Sequence, residues 1–363
     1  MQIPHYTRIH NRFLLNGFSY DREGLKMVAN SFIKEGDKYE QYLGDFLLDW
    51  LDSSETINLT TSGNAAQSKL ISFKKQALVN SSIATGEFFD VNIGDRALHC
   101  LPANFIAGKM MLIRAMILGL ELDLISPSRN PFHKNNKSYD FVAMTPMQAF
   151  HSLANMSQVK VLIVGGAFVS KSLQKALLKT NVNAYETYGM TETLSHIAVR
   201  TMKDPSSEFR CLPYVEVSQD DRGCLEVTSD LLQVDRYVTN DAIELLGDRR
   251  FRLIGRIDEV VNSGGVILHP QQIELKLSQV LDMRFFIGGI FDETLGEKVI
   301  LAIKYSPSLK LDKILEKIKK LPNLETYEIP KSILIFPDFV ETESGKIKRK
   351  QTLLLDPISV LDL

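Results

Sequence analysis

The run Thr60-Thr61-Ser62-Gly63-Asn64-Ala65-Ala66-Gln67-Ser68-Lys69 gathers small and hydroxylated residues behind a β-rich segment and closes on a lysine. Backbone N–H groups free of bulky neighbours can approach a phosphate there, and the lysine supplies a cation. It falls short of a Walker loop, because Ser68 stands where the second glycine belongs and Leu70 follows the lysine. A polar turn between strand and helix has the same composition. Tyr185-Glu186-Thr187-Tyr188-Gly189-Met190-Thr191-Glu192-Thr193 packs aromatic, glycine, hydroxyl and carboxylate groups together. A carboxylate beside phosphates suits Mg²⁺, which takes one or two carboxylates plus phosphate oxygens; a hairpin with a satisfied glutamate fits as well. Thr239-Asn240-Asp241 and Gly255-Arg256-Ile257-Asp258 offer groups for ribose hydroxyls, or simply a turn aspartate and a surface arginine. Asn262-Ser263-Gly264-Gly265-Val266-Ile267 is a loop along whose bare backbone a ligand could slide. Glu343-Ser344-Gly345-Lys346-Ile347-Lys348-Arg349 sets a lysine after a glycine turn, within a basic run of the kind that usually forms a solvated face.

These residues need elements to hold them. Apolar positions at helical spacing predict helices over 39–51, 76–90, 105–120 and 311–321. Asp140 to Met144 and Val159 to Val164 read as buried strands. The first precedes a helix opened by Pro146, and the second ends in Gly165-Gly166 before a helix over 171–179. Buried strands alternating with helices predict an α/β sheet covered on both faces. From about Pro213 the chain turns to short strands. Past Asp258 it reads as a small α+β unit with a helix opened by Pro270 and a hairpin over 285–305.

The 363 residues are enough for two or three domains on a rough prior of about 100–200 residues each. Hydrophobic residues make up 44% and charged residues 24%, which suits a globular chain with a sizeable core. A net charge of −2 lacks the cationic excess that tracking a nucleic-acid backbone requires. Cys100, Cys211 and Cys224 show neither disulfide nor zinc spacing, which points to reduced thiols and a cytoplasmic setting. His5, Arg8, His10 and Arg12 are followed by no apolar run, so no secretory leader is expected. The stretch Met110 to Ile125 is broken by Arg114, Glu121 and Asp123, too short and too charged for membrane insertion.

In collinear order, from about residue 57 to about residue 350, the motifs resemble those of the adenylate-forming superfamily of acyl-CoA synthetases, peptide-synthetase adenylation domains and luciferases. Thr61 to Lys69 is similar to the TSGTTGxPK phosphate loop, with Asn64-Ala65-Ala66 in place of Thr-Thr-Gly. Gly165-Gly166-Ala167 resembles the GGA turn, Tyr188 to Thr193 matches YGxTE, and Thr239-Asn240-Asp241 resembles TGD. Gly255 to Asp258 resembles GRxD and Ser344 to Lys346 the terminal SGK, while Phe105 replaces a frequent histidine. The resemblance implies an α/β fold. A large N-terminal domain of layered sheets, shortened at its N-terminus, would run over 1–257, and a small mobile α+β C-terminal domain over 258–363, hinged near Asp258.

It implies an ATP-dependent acid–CoA ligase that takes a carboxylic acid to its acyl-adenylate and then to its CoA thioester, using ATP, Mg²⁺ and coenzyme A. Thr61, Ser62, Gly63 and Lys69 would bind the triphosphate, Thr191 the α-phosphate and Glu192 the metal. Asp241 and Arg256 would hold the ribose, with Gly166, Ala167, Tyr188 and Gly189 around the adenine. Gly264 and Gly265 would line the pantetheine path, and Lys346 would be the catalytic cation of adenylation. Phe105, His196 and Arg200 would line the acid pocket. YGMTETLSHIAVR and NSGG are most similar to o-succinylbenzoate–CoA ligases of menaquinone biosynthesis. Ligation of another aryl or fatty acid, or nucleotide binding without turnover, stays open, as does an oligomer.

Overall fold

A computed structural model describes residues 3–60, 69–133, 135–167, 169–204, 208–307, 309–342 and 345–363. Thr61, Ser62, Gly63 and Ser344 lie outside the described residues. Among those described, twelve strands form one sheet. Leu14–Leu15, Glu121–Leu124, Arg96–His99, Tyr139–Met144, Val159–Val164 and Asn183–Met190 lie side by side in that order, each parallel to the next. Every residue of Val159–Val164 but Lys160 is buried, as a strand covered on both faces requires. After Met190 the sheet turns antiparallel and continues through Ser195–Thr201, Phe209–Cys211, Arg250–Arg256, Val234–Leu245, Cys224–Ser229 and Glu216–Gln219.

The helices Lys75–Phe89 and Ile106–Leu118 are buried over most of their surface and pack on one another. Their contact is close at Gly86, where a Cβ would come within 2.9 Å of Leu118. The helices Arg22–Glu35 and Lys38–Leu51 form a hairpin that lays Leu25, Ala29, Phe46, Leu47 and Trp50 on the same core. Asp21 caps the first helix by accepting from Gly24 N, and Asp37 with Glu40 forms a capping box on the second. Lys75 is fully buried and Asp52 neutralises it at 2.5 Å.

A second, smaller sheet follows. Val266–Leu268, Val261–Ser263, Gly296–Lys304, Ser332–Phe336 and Ser359–Asp362 lie in that order, and Phe285–Asp292 pairs with Gly296–Lys304. Helices Pro270–Leu277 and Leu311–Lys319 help cover it over a core of its own that includes Ile273, Leu277, Ile314 and Ile318. The two sheets meet where Gln272 Nε2 donates to the carbonyls of Leu253 at 3.2 Å and Ile254 at 2.7 Å. The molecule is thus mixed α/β, a large sheet domain followed by a smaller C-terminal one. None of the described helices is long and apolar enough to cross a membrane.

The six parallel strands run the same way, and four of them end on one side at Cys100, Thr145, Gly165 and Thr191. In open α/β sheets ligands bind in the crevice outside the carboxyl ends of the strands.

Candidate active site

Gly165 follows the strand Val159–Val164 so closely against Thr187 that a Cβ would lie 2.1 Å from its Oγ1. Gly166 has φ +84°, a left-handed conformation that favours glycine, and together they form a bare turn at the strand end. One strand over, Gly189 sits under Ser195. A Cβ there would come 2.0 Å from the Ser195 carbonyl oxygen and 2.5 Å from His196 Cα. That close crossing lets a one-turn helix, Thr191–Thr193, fold directly off the strand. Leu194 and Ser195 then take positive φ, +56° and +89°, to send the chain back antiparallel. Thr193 Oγ1 pins the turn by accepting from Met190 N at 3.1 Å, and it lies 3.1 Å from the Ser195 carbonyl. Thr191 is buried and Glu192 half-buried at its tip. Among the described residues no side chain hydrogen-bonds or pairs with the Glu192 carboxylate, a hard oxygen donor of the kind Mg²⁺ prefers.

Asp241 is brought to the same place by the strand Val234–Leu245. Tyr188 Oη donates to its Oδ2 at 2.6 Å, Arg256 Nη1 lies 3.4 Å from its Oδ1, and its own N–H is held by Thr239 Oγ1 at 3.0 Å. Burial and then the Asp241 charge push the Tyr188 hydroxyl far above its ordinary pKa, so it stays a donor. Arg256 forks onto Asp258 at 2.9 and 2.8 Å, and that pairing raises its pKa further.

Lys346 comes from the other sheet domain. Crowding by protein atoms lowers its pKa, Arg256 lowers it again, and Asp241, Glu192 and Glu259 pull it back up. The charges that act on it are therefore those of Arg256, Asp241, Glu192 and Glu259. The described residues beside it are tied down by hydrogen bonds. Lys346 N donates to Thr342 Oγ1 at 3.0 Å, Thr342 N to Lys346 O at 2.8 Å, and Arg284 Nη2 to Gly345 O at 2.8 Å. Gly264 and Gly265, with φ +61° and +85°, lie exposed on a hairpin whose Gly264 N donates to Leu295 O at 2.8 Å.

The acid-pocket candidates separate. Phe105 caps the helix Ile106–Leu118 and is half-buried. Arg200 is engaged elsewhere, paired with Glu186 at 2.7 Å and stacked 4.9 Å from the Phe209 ring centroid. His196 is buried beside Arg114, which in the sequence marks only a break in an apolar stretch. Arg114 is 1% exposed. Its Nη2 donates to His196 Nδ1 at 3.2 Å and lies 3.4 Å from Ser195 Oγ, while its Nε lies 3.3 Å from Thr85 Oγ1. Arginine can only donate, so His196 Nδ1 is an acceptor and the ring proton sits on Nε2, toward Thr85 at 3.4 Å. Burial, then the Arg114 charge, hold His196 well below its ordinary pKa, and burial brings Arg114 down to about 9. Both leave His196 neutral and Arg114 charged near pH 7. Among the described residues no carboxylate pairs with this cation. Phe89 stands edge-on to His196 and Tyr185, with ring centroids 6.3 and 5.1 Å away, giving the neighbourhood an aromatic wall.

Two open surface hollows of about 670 and about 520 Å³ contain none of the expected residues. The larger lies at the amino ends of the parallel strands, among Arg96, Asp140 and Lys160, away from the crevice.

Residues 57–218 match the family model described as AMP-binding enzyme. A solved structure from Dyadobacter fermentans, an acyl-CoA synthetase (AMP-forming)/AMP-acid ligase II-like protein, is 31% identical. That likeness covers 90% of this chain and 97% of the other, with a TM-score of 0.59. The chain belongs to the AMP-binding enzyme family. A 2-succinylbenzoate–CoA ligase from Listeria monocytogenes is 23% identical over 334 residues, 84% of this AMP-binding enzyme and 71% of the relative. The o-succinylbenzoate CoA synthetase of Bacillus subtilis, solved with its acyl-adenylate intermediate, has a TM-score of 0.73 at 17% identity, covering 83% of this chain and 69% of that one. At that identity the likeness speaks for the fold. As an AMP-forming acyl-CoA ligase, the chain places Thr191, Glu192, Tyr188, Asp241 and Arg256 about one strand-end crevice.

Proposed function

We propose that this ligase activates o-succinylbenzoate with ATP and passes it to coenzyme A. Arg114 carries the reading. A buried cation is costly unless an opposite charge meets it, and the described residues offer none. An acid with a single carboxylate would leave that charge uncompensated. A dicarboxylate gives one group to ATP and the other to Arg114, with neutral His196 and Ser195 as further partners and Phe89 beside the ring. The similarity to ligases named for 2-succinylbenzoate supports the same choice.

In the first step a carboxylate oxygen attacks the α-phosphorus and pyrophosphate leaves. Thr191 and Lys346 stabilise the charge that grows on the phosphoryl oxygens, and the loop with Thr61, Ser62, Gly63 and Lys69 holds the triphosphate. Asp241, fixed by Tyr188 and Arg256, accepts from the ribose hydroxyls, and the open Gly165-Gly166-Ala167 turn leaves room for the adenine. Glu192 would hold Mg²⁺, which when bound neutralises triphosphate charge. In the second step the CoA sulfur attacks the acyl carbonyl carbon, its proton is released, and AMP leaves with the electron pair. The chain divides at Asp258, and the smaller domain turns there so that Gly264 and Gly265 replace Lys346 along the pantetheine path. The three buried free thiols fit a reducing, cytoplasmic setting.

Pyrophosphate release assayed with o-succinylbenzoate, benzoate and a fatty acid tests the substrate. The dicarboxylate should be strongly preferred. Arg114→Met should cut its kcat/KM roughly 100-fold or more, from the about 3 kcal/mol lost with one partner of a buried ion pair. The ligand-free variant should be no less stable than the parent. Turnover of benzoate or the fatty acid without the dicarboxylate would overturn the reading.

A further inference from the structure

Arg349 lies three residues beyond Lys346, at the start of the short helix Arg349–Thr352. Its guanidinium joins four elements. It forks onto Glu274 at 2.7 and 3.0 Å, donates to the Ile287 carbonyl at 3.0 Å, lies 3.4 Å from Glu259 Oε2 and stands over the Phe286 ring at 5.9 Å. Glu274 is 5% exposed and also accepts from Ile287 N at 2.7 Å, so the fork is buried and its partner is itself fixed. Glu259 closes the one-turn helix Ile257–Glu259, directly after Arg256. Gln271 Nε2 donates to it, and its charge is among those that reach Lys346.

Little slack separates Arg349 from the lysine. Lys348 N donates to Val340 O at 2.8 Å, Thr352 N to Lys348 O at 2.9 Å, and residues 341 and 347 pair as a bridge. The Gly264–Gly265 turn is built separately, on Leu295 O, on Asn262 Oδ1 at 3.1 Å, and through Asn262 N on Glu297 Oε2 at 2.9 Å. None of those contacts involves Arg349.

We propose that Arg349 is a positioning residue that locks the Lys346 turn to the turn following Arg256, so that Lys346 is delivered to the α-phosphate with fixed geometry during adenylation and has no such part in thioester formation. The proposal rests on the assignment of Lys346 to adenylation. It is tested on the full chain by comparing Arg349→Met, Arg349→Lys, Lys346→Ala and the Arg349→Met/Lys346→Ala double variant in two assays. One follows pyrophosphate release, and the other follows thioester formation from supplied o-succinylbenzoyl-adenylate and CoA.

Arg349→Met should lower the adenylation kcat about 100-fold, as misplacement by about 1 Å can, with KM for ATP and the thioester step unchanged. Arg349→Lys keeps the charge but loses the fork and should recover part of the rate. The double variant should be no slower than Lys346→Ala alone, because the two residues act as a unit. Equal losses in both half-reactions, or additive losses in the double variant, would overturn the proposal. Should Arg349→Met fail to fold, Glu259→Gln weakens the tether to the turn while leaving the Glu274 fork in place, and should show the same split, more weakly. If it affects both steps equally the proposal falls. If Lys346→Ala leaves adenylation intact, the assignment of Lys346 fails first; if Lys346→Ala separates the half-reactions and Arg349→Met does not, only the role of Arg349 is lost.

Discussion

The polar groups of the site differ in how far protein partners satisfy them. Asp241 is held three ways, by Tyr188, Arg256 and its own backbone against Thr239. Glu192 has no hydrogen bond or ion pair to a described side chain, and Arg114 has no counter-charge among them. Groups of the second kind expect a ligand to complete them. Glu192→Gln removes the charge but keeps the shape, so the fold should survive while pyrophosphate release falls. A loss of about 10–100-fold, the range found even for groups one shell out from a metal, should be partly restored by raising Mg²⁺. A variant with the parent rate at limiting Mg²⁺ would remove Glu192 from metal binding.

The elements explain why these residues and not their neighbours face the crevice. Gly189 allows the crossing under Ser195 from which the Thr191–Thr193 turn springs, so Gly189→Ala should push that turn out of place. About a 100-fold loss of adenylation with modest loss of stability is expected, measured by pyrophosphate release and thermal melting. Parent activity would show that the turn does not depend on the crossing. Helix Pro270–Leu277 carries a different signature. Burial raises the Glu274 carboxyl from 4.5 to about 7, with Arg349 opposing the shift and Glu259 adding to it. The folded state thus holds this proton longer than the unfolded chain, and the stability it contributes is present below about pH 4.5 and lost as pH rises through about 7. Glu274→Gln should flatten that decline relative to the parent in melts across the window, and an identical pH slope would contradict it.

Much at this scale was legible in the amino-acid order. The apolar run 159–164 and Pro146 mark the strand and the helix start found there, because buried parallel strands and first-turn prolines leave unbroken local signals. The helix Arg22–Glu35 leaves little local signal, since it buries only Leu25 and Ala29 fully. The partners of Arg114 and Arg200 are hidden from the sequence for a related reason. The partners of Arg114 stand 29 and 82 residues away, and Glu186 faces Arg200 only through the register of two antiparallel strands. Local spacing does not carry such pairings.

For the whole molecule, the question is how one crevice serves two reactions. Adenylation needs a cation where charge grows on the phosphoryl oxygens, and thiolysis needs a clear path for a thiol. Lys346 feels Glu192, Asp241 and Arg256 from across the domain boundary, while Gly264 and Gly265 stand exposed on a separate hairpin of the same small domain. On our account these are two tools on one mobile body. The most direct test supplies the Lys346→Ala variant first with ATP and o-succinylbenzoate, then with preformed o-succinylbenzoyl-adenylate and CoA. Pyrophosphate release should fall to a small residual rate in the first case and thioester formation be retained in the second, whereas equal loss of both steps in a folded variant would contradict the two-state account.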